Sequence, residues 1–93
     1  MHAYLACFDI SDDRTRNRVG DLLGQYGTRV QRSVFEISLR TPAELQRLKE
    51  ELRSLPFEDD DDIRFYMLCR NCRSASHTLE DGRVALYPSA VIV

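Results

Sequence analysis

An apolar run near the start of the chain constrains the fold more than any other feature. Residues 3–10 are apolar apart from Asp9 and are bounded by polar residues, a pattern typical of a strand buried at the centre of a sheet. The run is much shorter than the roughly 20 residues that cross a membrane, and it lacks the basic flank of a signal peptide. We therefore predict a cytoplasmic protein with no membrane contact. A chain of 93 residues predicts a single domain, 1–93, built around this strand.

Two amphipathic helices are predicted after this strand. Ser11–Asp13 supplies N-cap residues and first-turn acids. Apolar residues then recur at helical spacing as far as Tyr26, and Gly27 stands where a left-handed C-cap belongs. Thr41–Glu44 is a capping box with proline at the first helical position. Leucines continue the second apolar stripe until Pro56, which ends that helix.

The segments on either side of the second helix are strand-like. Residues 29–40 change phase, because Val30 has the opposite parity to Phe35 and the apolar residues that follow it. Since a slip of one residue turns every side chain over, we predict a bulge or tight bend near Gln31–Ser33. Residues 63–69 alternate in the manner of a further strand.

The C-terminal extension, residues 74–93, begins with polar residues. Asp81–Gly82 is a turn signal, and residues 84–87 are expected to form a short strand around it. Residues 90–93 are apolar and β-branched, so they should add to a sheet instead of facing water. The element order predicts an α+β fold, a ferredoxin-like βαββαβ antiparallel sheet with two helices on one face.

One acidic block accounts for the negative net charge of a chain that is otherwise slightly basic. Residues 58–62 are five consecutive carboxylates, whereas the whole chain has a formal charge of −2. We expect this block to be a solvated loop. The basic residues are twelve arginines and one lysine. Arginine presents a planar fork of donors suited to phosphate oxygens, although a GC-rich genome would produce the same bias.

Asp9 is the first candidate for chemistry. A carboxylate at the end of an apolar strand must be solvated, capped or coordinated. The helix that begins within three residues attracts phosphate to its N-terminus. The arrangement indicates either a seat for Mg²⁺, which takes few protein carboxylates and keeps its waters, or an aspartate that caps a turn.

Arginines surround this position in the sequence. Arg14, Arg16 and Arg18 lie in the first turns of the first helix, where their charge opposes the helix dipole. Either nucleic-acid phosphates or nearby aspartates must therefore compensate them. The aspartates within reach are Asp12, Asp13 and Asp21. Arg29 and Arg32 bracket the predicted bend and could extend the same basic surface.

A Cys-x-x-Cys motif follows the last predicted strand. Cys69 and Cys72 are half of a zinc knuckle, and Cys7 and His77 do not complete a recognised ligand pattern. A thioredoxin-type redox pair would stand at the start of a helix, whereas here a strand precedes the motif. We interpret these thiols as structural or incidental.

Blocks along the chain resemble a known family. The segment Tyr4–Asp13, followed by alternate arginines up to Val19, is similar to the opening of the small CRISPR-associated adaptation proteins of the Cas2 family. Tyr26–Glu36 resembles the second block of that family, and Ile63–Cys69 resembles its fourth strand. The resemblance spans about residues 3–73.

This resemblance implies a homodimer whose two sheets face each other, with a C-terminal strand added to the partner subunit's sheet. It implies a metal-dependent endonuclease acting on single-stranded RNA, duplex DNA or both, with Mg²⁺ or Mn²⁺ bridged between the Asp9 side chains of two subunits. Arg16, Arg18 and Arg29 match positions implicated in nuclease function. Phe35 matches another, where it would pack against substrate or shape the groove.

The resemblance also implies a larger CRISPR integrase subunit as a partner during spacer insertion in antiviral defence. A second hypothesis follows from it. The chain would then be a non-catalytic dimeric scaffold that presents rows of arginine to duplex DNA and bridges the integrase subunits, with an affinity that falls steeply as salt rises.

Overall fold

A computed structural model describes residues 2–84 of the chain. Within them lie four strands and three helices: β1 (His2–Asp9), α1 (Asp13–Gly24), β2 (Gly27–Gln31), β3 (Val34–Leu39), α2 (Pro42–Arg53), β4 (Asp62–Leu68) and α3 (Arg70–Ala75). The strands form one sheet in the order β2-β3-β1-β4, and each neighbouring pair is antiparallel. The predicted strand at 90–93, and most of that at 84–87, lie outside the described residues.

The core lies between the sheet and the pair α1 and α2. Alternate residues of β1, namely Ala6 and Phe8, are buried on this side and Ile10 follows them. The other buried members of the cluster come from β3 and from both helices: Val19, Leu23, Phe35, Ile37, Leu39, Leu48 and Leu52. Because side chains alternate across a strand, the other residues point to the opposite side of the sheet. Neither α1 nor α2 covers that side. We call it the open face.

Three of the four ends of α1 and α2 agree with the predicted start and stop signals. The Asp12 side chain caps α1 by accepting from the Thr15 N–H at 2.9 Å, and Thr41 caps α2 by accepting from the Glu44 N–H at 3.2 Å. Helix α2 ends at Arg53, just before the predicted stop. None of the helices within residues 2–84 combines the length and apolar character that crossing a bilayer requires.

The predicted role of Gly27 as a left-handed C-cap is wrong. Helix α1 ends earlier, at Gly24, and Gly27 begins β2, with no glycine of residues 2–84 at positive φ. A Cβ on Gly27 would collide with the Glu36 carbonyl oxygen of β3. Glycine is needed here because two backbones approach closely.

The predicted phase change between β2 and β3 is confirmed. Arg29 pairs with Phe35 while Gln31 pairs with Val34, so Val30 is the extra residue of a bulge. The bulge lies just before the predicted position, and a tight turn at 32–33 completes the hairpin.

The segment after β4 differs most from the prediction. Residues 70–75 form a short helix, α3, whose N-cap is Cys69, whereas the sequence pattern predicted only the two earlier helices. The predicted turn is present, since Asp81 has φ 65° and an isolated bridge joins His77 to Arg83. This bridge comes one residue before the strand expected there.

Candidate functional site

Asp9 is the last residue of β1 and is exposed on the open face. It faces this side because its neighbours Phe8 and Ile10 are buried against the helices. Among the described residues the Asp9 carboxylate has no hydrogen bond or ion pair. An unpaired carboxylate at the end of a central strand is free to bind a cation.

A second carboxylate lies beside Asp9. Asp62, the first residue of β4, is its direct register partner, and directly opposite residues share one face of a sheet. Asp62 accepts from the Nε of Arg64 at 2.7 Å. The side chains of Tyr66 and Asp62 together raise the pKa of Arg64. Arginine therefore neutralises one of the two carboxylates and leaves the other unpaired.

This pair fits Mg²⁺ or Mn²⁺ only as part of a ligand set. Carboxylate oxygens are the ligands these ions prefer, and Mg²⁺ commonly takes one or two of them and fills the rest of its shell with water. No cluster of three or more His, Cys, Asp or Glu side chains able to hold a metal occurs within residues 2–84. One chain therefore offers Asp9, with Asp62 next to it, and further ligands must come from water, substrate or a second copy.

The loop after Asp9 is tied to the acidic block. Asp61 accepts from the Ser11 N–H at 3.0 Å, from the Ser11 hydroxyl at 3.2 Å and from the Glu58 N–H at 2.9 Å. The Glu58 and Ser11 amides lower the pKa of this carboxyl. The expectation of a solvated loop holds for residues 58–60, which are exposed, whereas Asp61 joins two loops and Asp62 begins β4.

Arg16 ties the same loop to α1. Its Nη1 donates to the Ile10 carbonyl oxygen at 3.0 Å, and its Nη2 bonds the Asp13 carboxylate. The side chain is only 27% exposed. Of the two explanations for its position, pairing with a neighbouring aspartate is the one observed in this chain, so Arg16 positions the residues that follow Asp9.

Arg14 and Arg18 remain on the surface of α1. Both are exposed, and their spacing of four places them on one face of the helix. Arg14 lies near Asp12 and contributes to the lowered pKa of that carboxyl, which the Thr15 amide causes first. Arg18 has no partner among the described residues. These two guanidinium groups are available to phosphate.

Arg29 packs on Phe35 at the β2 edge of the sheet. Its guanidinium carbon lies 5.1 Å from the ring centroid, and its Nη2 would be 2.7 Å from a Cβ on Gly20, so the glycine makes room for it. Phe35 itself is 4% exposed and stacks on Phe8 with centroids 6.1 Å apart. Its burial argues against direct packing on substrate, while the alternative role expected for Phe35, shaping the groove, stays a prediction and would act through its support of Arg29.

Arg32 is exposed in the β2–β3 turn. The Phe8 N–H donates to the Ser33 carbonyl at 3.0 Å, which holds this turn beside the end of β1. Arg32 therefore belongs to the same end of the sheet as Asp9, Asp62 and Arg64.

The structure separates the remaining predicted residues. Arg29 pairs in register with a core-facing residue, so it is on the helix side of the sheet, whereas Asp9 is on the open face. Arg14 and Arg18 belong to the helix layer. A single chain thus brings Arg32 to the end of the sheet that holds Asp9 and keeps Arg29 on the other face.

Two neighbours of Asp9 were missed by sequence reasoning. Asp62 was counted within the acidic block, and Arg64 within an alternating strand. Their alternation with Ile63 and Phe65, both packed on the core, was the signal that could have placed them on the same face.

The family model described as CRISPR associated protein Cas2 matches residues 1–75. This chain belongs to the Cas2 family. A relative from Chloroflexus aurantiacus, named CRISPR-associated endoribonuclease Cas2 1, is 40% identical over 79 residues, 85% of each chain. One from Synechocystis, named CRISPR-associated endoribonuclease Cas2 3, is 40% identical over 93 residues and the full length of both chains. The family predicted from the sequence blocks is confirmed.

Solved structures of Cas2 proteins share the fold. A chain of a partial Cas6-RT-Cas1–Cas2 complex matches with a TM-score of 0.83 and 36% identity, over 94% of this chain and 100% of that chain. Streptococcus pyogenes Cas2, crystallised at pH 6.5, matches with a TM-score of 0.73 and 36% identity, over 83% of this chain and 98% of its own. The predicted α+β architecture is confirmed, while the homodimer and its exchanged C-terminal strand stay predictions.

Proposed function

We propose that this Cas2 family protein is a metal-dependent endonuclease of CRISPR adaptation. It hydrolyses phosphodiester bonds in single-stranded RNA, duplex DNA or both, and takes part in spacer acquisition. The relatives named endoribonuclease, at 40% identity, support the nuclease class. Asp9 is the residue we assign to metal binding and catalysis.

The exposed, unpaired carboxylate of Asp9 carries this proposal. The loop that follows it is held at the Ile10–Ser11 peptide group, whose N–H donates to Asp61 and whose carbonyl oxygen accepts from Arg16. A side chain that binds a metal needs such a fixed backbone, because the position of a catalytic group must not vary by more than a fraction of an ångström.

A second copy of the chain would complete the ligand set. Each protomer offers one unpaired carboxylate on its open face. The half-buried side chains of Leu5 and Cys7 lie on the same face, where neither α1 nor α2 covers them. Packing two such faces about a two-fold axis near the ends of the β1 strands would place both Asp9 carboxylates together. Residues 74–93 are the segment we assign to contacts between subunits or with a partner.

The roles of the side chains follow from their positions. Asp9 would hold Mg²⁺ or Mn²⁺, which lowers the pKa of bound water and offsets charge on phosphoryl oxygens when present. Arg32 is exposed at the same end of the sheet and would bind the nucleic-acid backbone there. Arg14 and Arg18 would bind phosphates further along the nucleic acid. Arg16 keeps the Asp9 loop in place, and Arg29 extends the basic surface.

The test is Asp9→Asn, measured on end-labelled RNA and duplex DNA with and without Mg²⁺. We expect cleavage to fall about 100-fold or more, because the amide retains the shape but not the charge that binds the cation. The unfolding temperature should not fall, since the Asp9 side chain makes no hydrogen bond or ion pair within residues 2–84.

Asp60→Asn is the matched control, because it makes the same change at an exposed loop position. It should cleave like the parent protein, and EDTA should stop both. Equal cleavage by Asp9→Asn and the parent would refute the enzyme proposal, as would full activity in EDTA.

A non-catalytic scaffold is the second candidate. The neighbour at TM-score 0.83 is a chain of a complex that contains Cas1 and Cas2, and this supports a role in assembly with a Cas1-type integrase. The single unpaired carboxylate of each chain is also a sparse catalytic apparatus. In this role the dimer bridges integrase subunits and holds duplex DNA through its arginines.

Spacer insertion by the Asp9→Asn variant distinguishes the two candidates. We expect the chain to co-elute with a Cas1-type integrase, and Asp9→Asn to co-elute equally well. Spacer insertion by Asp9→Asn at the rate of the parent would favour the scaffold, whereas insertion lost together with cleavage would favour the enzyme.

A further inference from the structure

Two exposed thiols are in contact at the end of β4. The Sγ atoms of Cys69 and Cys72 lie 3.2 Å apart, and both residues are exposed. Cys69 directly follows β4 and caps α3, and its Sγ accepts from the Cys72 N–H at 3.3 Å. The expectation that this motif is not at a helix start is therefore wrong.

The two sulfur atoms have different environments. The Cys72 N–H donates to the Cys69 sulfur, and this amide, followed by the contact with the Cys72 side chain, lowers the pKa of the Cys69 thiol. The same contact raises the pKa of Cys72. Since a thiolate is the attacking species in thiol–disulfide exchange, Cys69 is the nucleophile of the pair and Cys72 is placed to resolve it.

We propose that Cys69 and Cys72 form a dithiol–disulfide exchange site for low-molecular-weight disulfides of the glutathione type. Contact between the two sulfur atoms and their access to solvent carry this inference. It is independent of the nuclease proposal, because it uses no residue of the Asp9 site.

The reaction has two exchange steps. The Cys69 thiolate attacks one sulfur of the small disulfide, forms a mixed disulfide and releases the first small thiolate. Cys72 then loses its proton to water or buffer and attacks the Cys69 sulfur, which forms the Cys69–Cys72 bond and expels the second small thiolate. The protein loses two electrons and the small disulfide gains them.

The third cysteine provides an internal comparison. Cys7 is half-buried in the central strand, and its register partners are Val34 and Arg64. No other cysteine sulfur is in contact with it among the described residues. Cys7 should therefore stay reduced under conditions that oxidise the other two.

Mass spectrometry of the full chain after equilibration with glutathione disulfide tests the proposal. We expect the mass of the Cys7→Ser variant to fall by about 2 Da, the mass of two hydrogens. Both of its remaining thiols should then no longer react with a thiol reagent. In Cys72→Ser the mixed disulfide should be trapped on Cys69 as an adduct of about 305 Da. Cys69→Ser should react about threefold or more slower than Cys72→Ser, because Cys72 lacks the backbone N–H donor that Cys69 keeps in the other variant.

Three outcomes would overturn the assignment. One is persistence of both thiols in Cys7→Ser with excess glutathione disulfide, and another is equal reactivity of Cys69→Ser and Cys72→Ser. The third is a covalent dimer on a non-reducing gel in place of the internal bond. Oxidation should leave the unfolding temperature almost unchanged, because closing so short a loop constrains the unfolded chain little.

Discussion

Arg16 and Arg18 are two residues apart on α1, yet they belong to different regions of the molecule. Arg16 bonds the Ile10 carbonyl and the Asp13 carboxylate, whereas Arg18 is exposed and unpaired within residues 2–84. The same contrast separates Asp61, which accepts three hydrogen bonds, from Asp9. We call Arg16 and Asp61, together with the Ile10 and Ser11 backbone groups that they bind, the anchored loops.

This difference shows where stability and binding are located. In the anchored loops, charged side chains satisfy backbone groups that a short connection leaves without partners. Asp9, Arg18 and Arg32 have no such function among the described residues, and their charges remain available to other molecules. Substitutions in the anchored loops should therefore change unfolding, and substitutions outside them should change binding.

The largest effect beyond Asp9 is expected from removing Arg14 and Arg18 together. Affinity for duplex DNA at low salt should fall about tenfold to a hundredfold, and the slope of log affinity against log salt should decrease by about 2, because two phosphate contacts are lost. Fluorescence anisotropy over a range of salt concentrations measures both. Arg47→Ala, exposed on α2, is the control and should change neither. An unaltered slope in the double variant would mean that these arginines act only on neighbouring acids.

A smaller effect, on stability, is expected from Arg16→Ala. Loss of its two hydrogen bonds, one of them to a carboxylate, should lower the free energy of unfolding by about 1–3 kcal/mol, as measured by urea denaturation. Arg16→Lys should recover only part of this, since an ammonium group lacks the planar fork that reaches two acceptors. Parent-like stability combined with a reduced salt slope would instead make Arg16 a phosphate ligand.

The smallest effect is expected in the acid limb of the stability profile. The Glu58 and Ser11 amides lower the pKa of Asp61 from its ordinary value of 3.8. The stabilisation is therefore complete above this ordinary pKa and is lost as the pH falls through the lower, folded-state pKa. Asp61→Asn should unfold more easily at neutral pH and differ less from the parent below pH 3.8.

Asp60→Asn is the matched control for this acid limb, because Asp60 is an exposed member of the same acidic block. It should follow the parent profile. Parallel curves for Asp61→Asn and the parent across the acid range would contradict the role assigned to the Asp61 hydrogen bonds.

Local patterns predicted most of the fold. The apolar run became the central strand β1, the capping box became the start of α2, and the change of parity around Val30 became the bulge between β2 and β3. These features were readable because each depends on neighbours within a few positions in the chain. Helix α3 was missed, because its six residues have no apolar stripe to indicate a helix.

The sequence by itself determined the family, the order of the elements, and Asp9 and the arginines as candidates for binding. Tertiary structure decided which of these charges are already occupied. Asp61 reaches Ser11 across fifty positions, and Asp62 meets Asp9 only because β4 pairs with β1. The local sequence around Phe35 does not show whether its side chain faces a groove or the core. The pairing of the strands decided that it lies in the core. The physical reason is that hydrogen bonds and burial depend on distances between segments remote in the chain, which no local pattern contains.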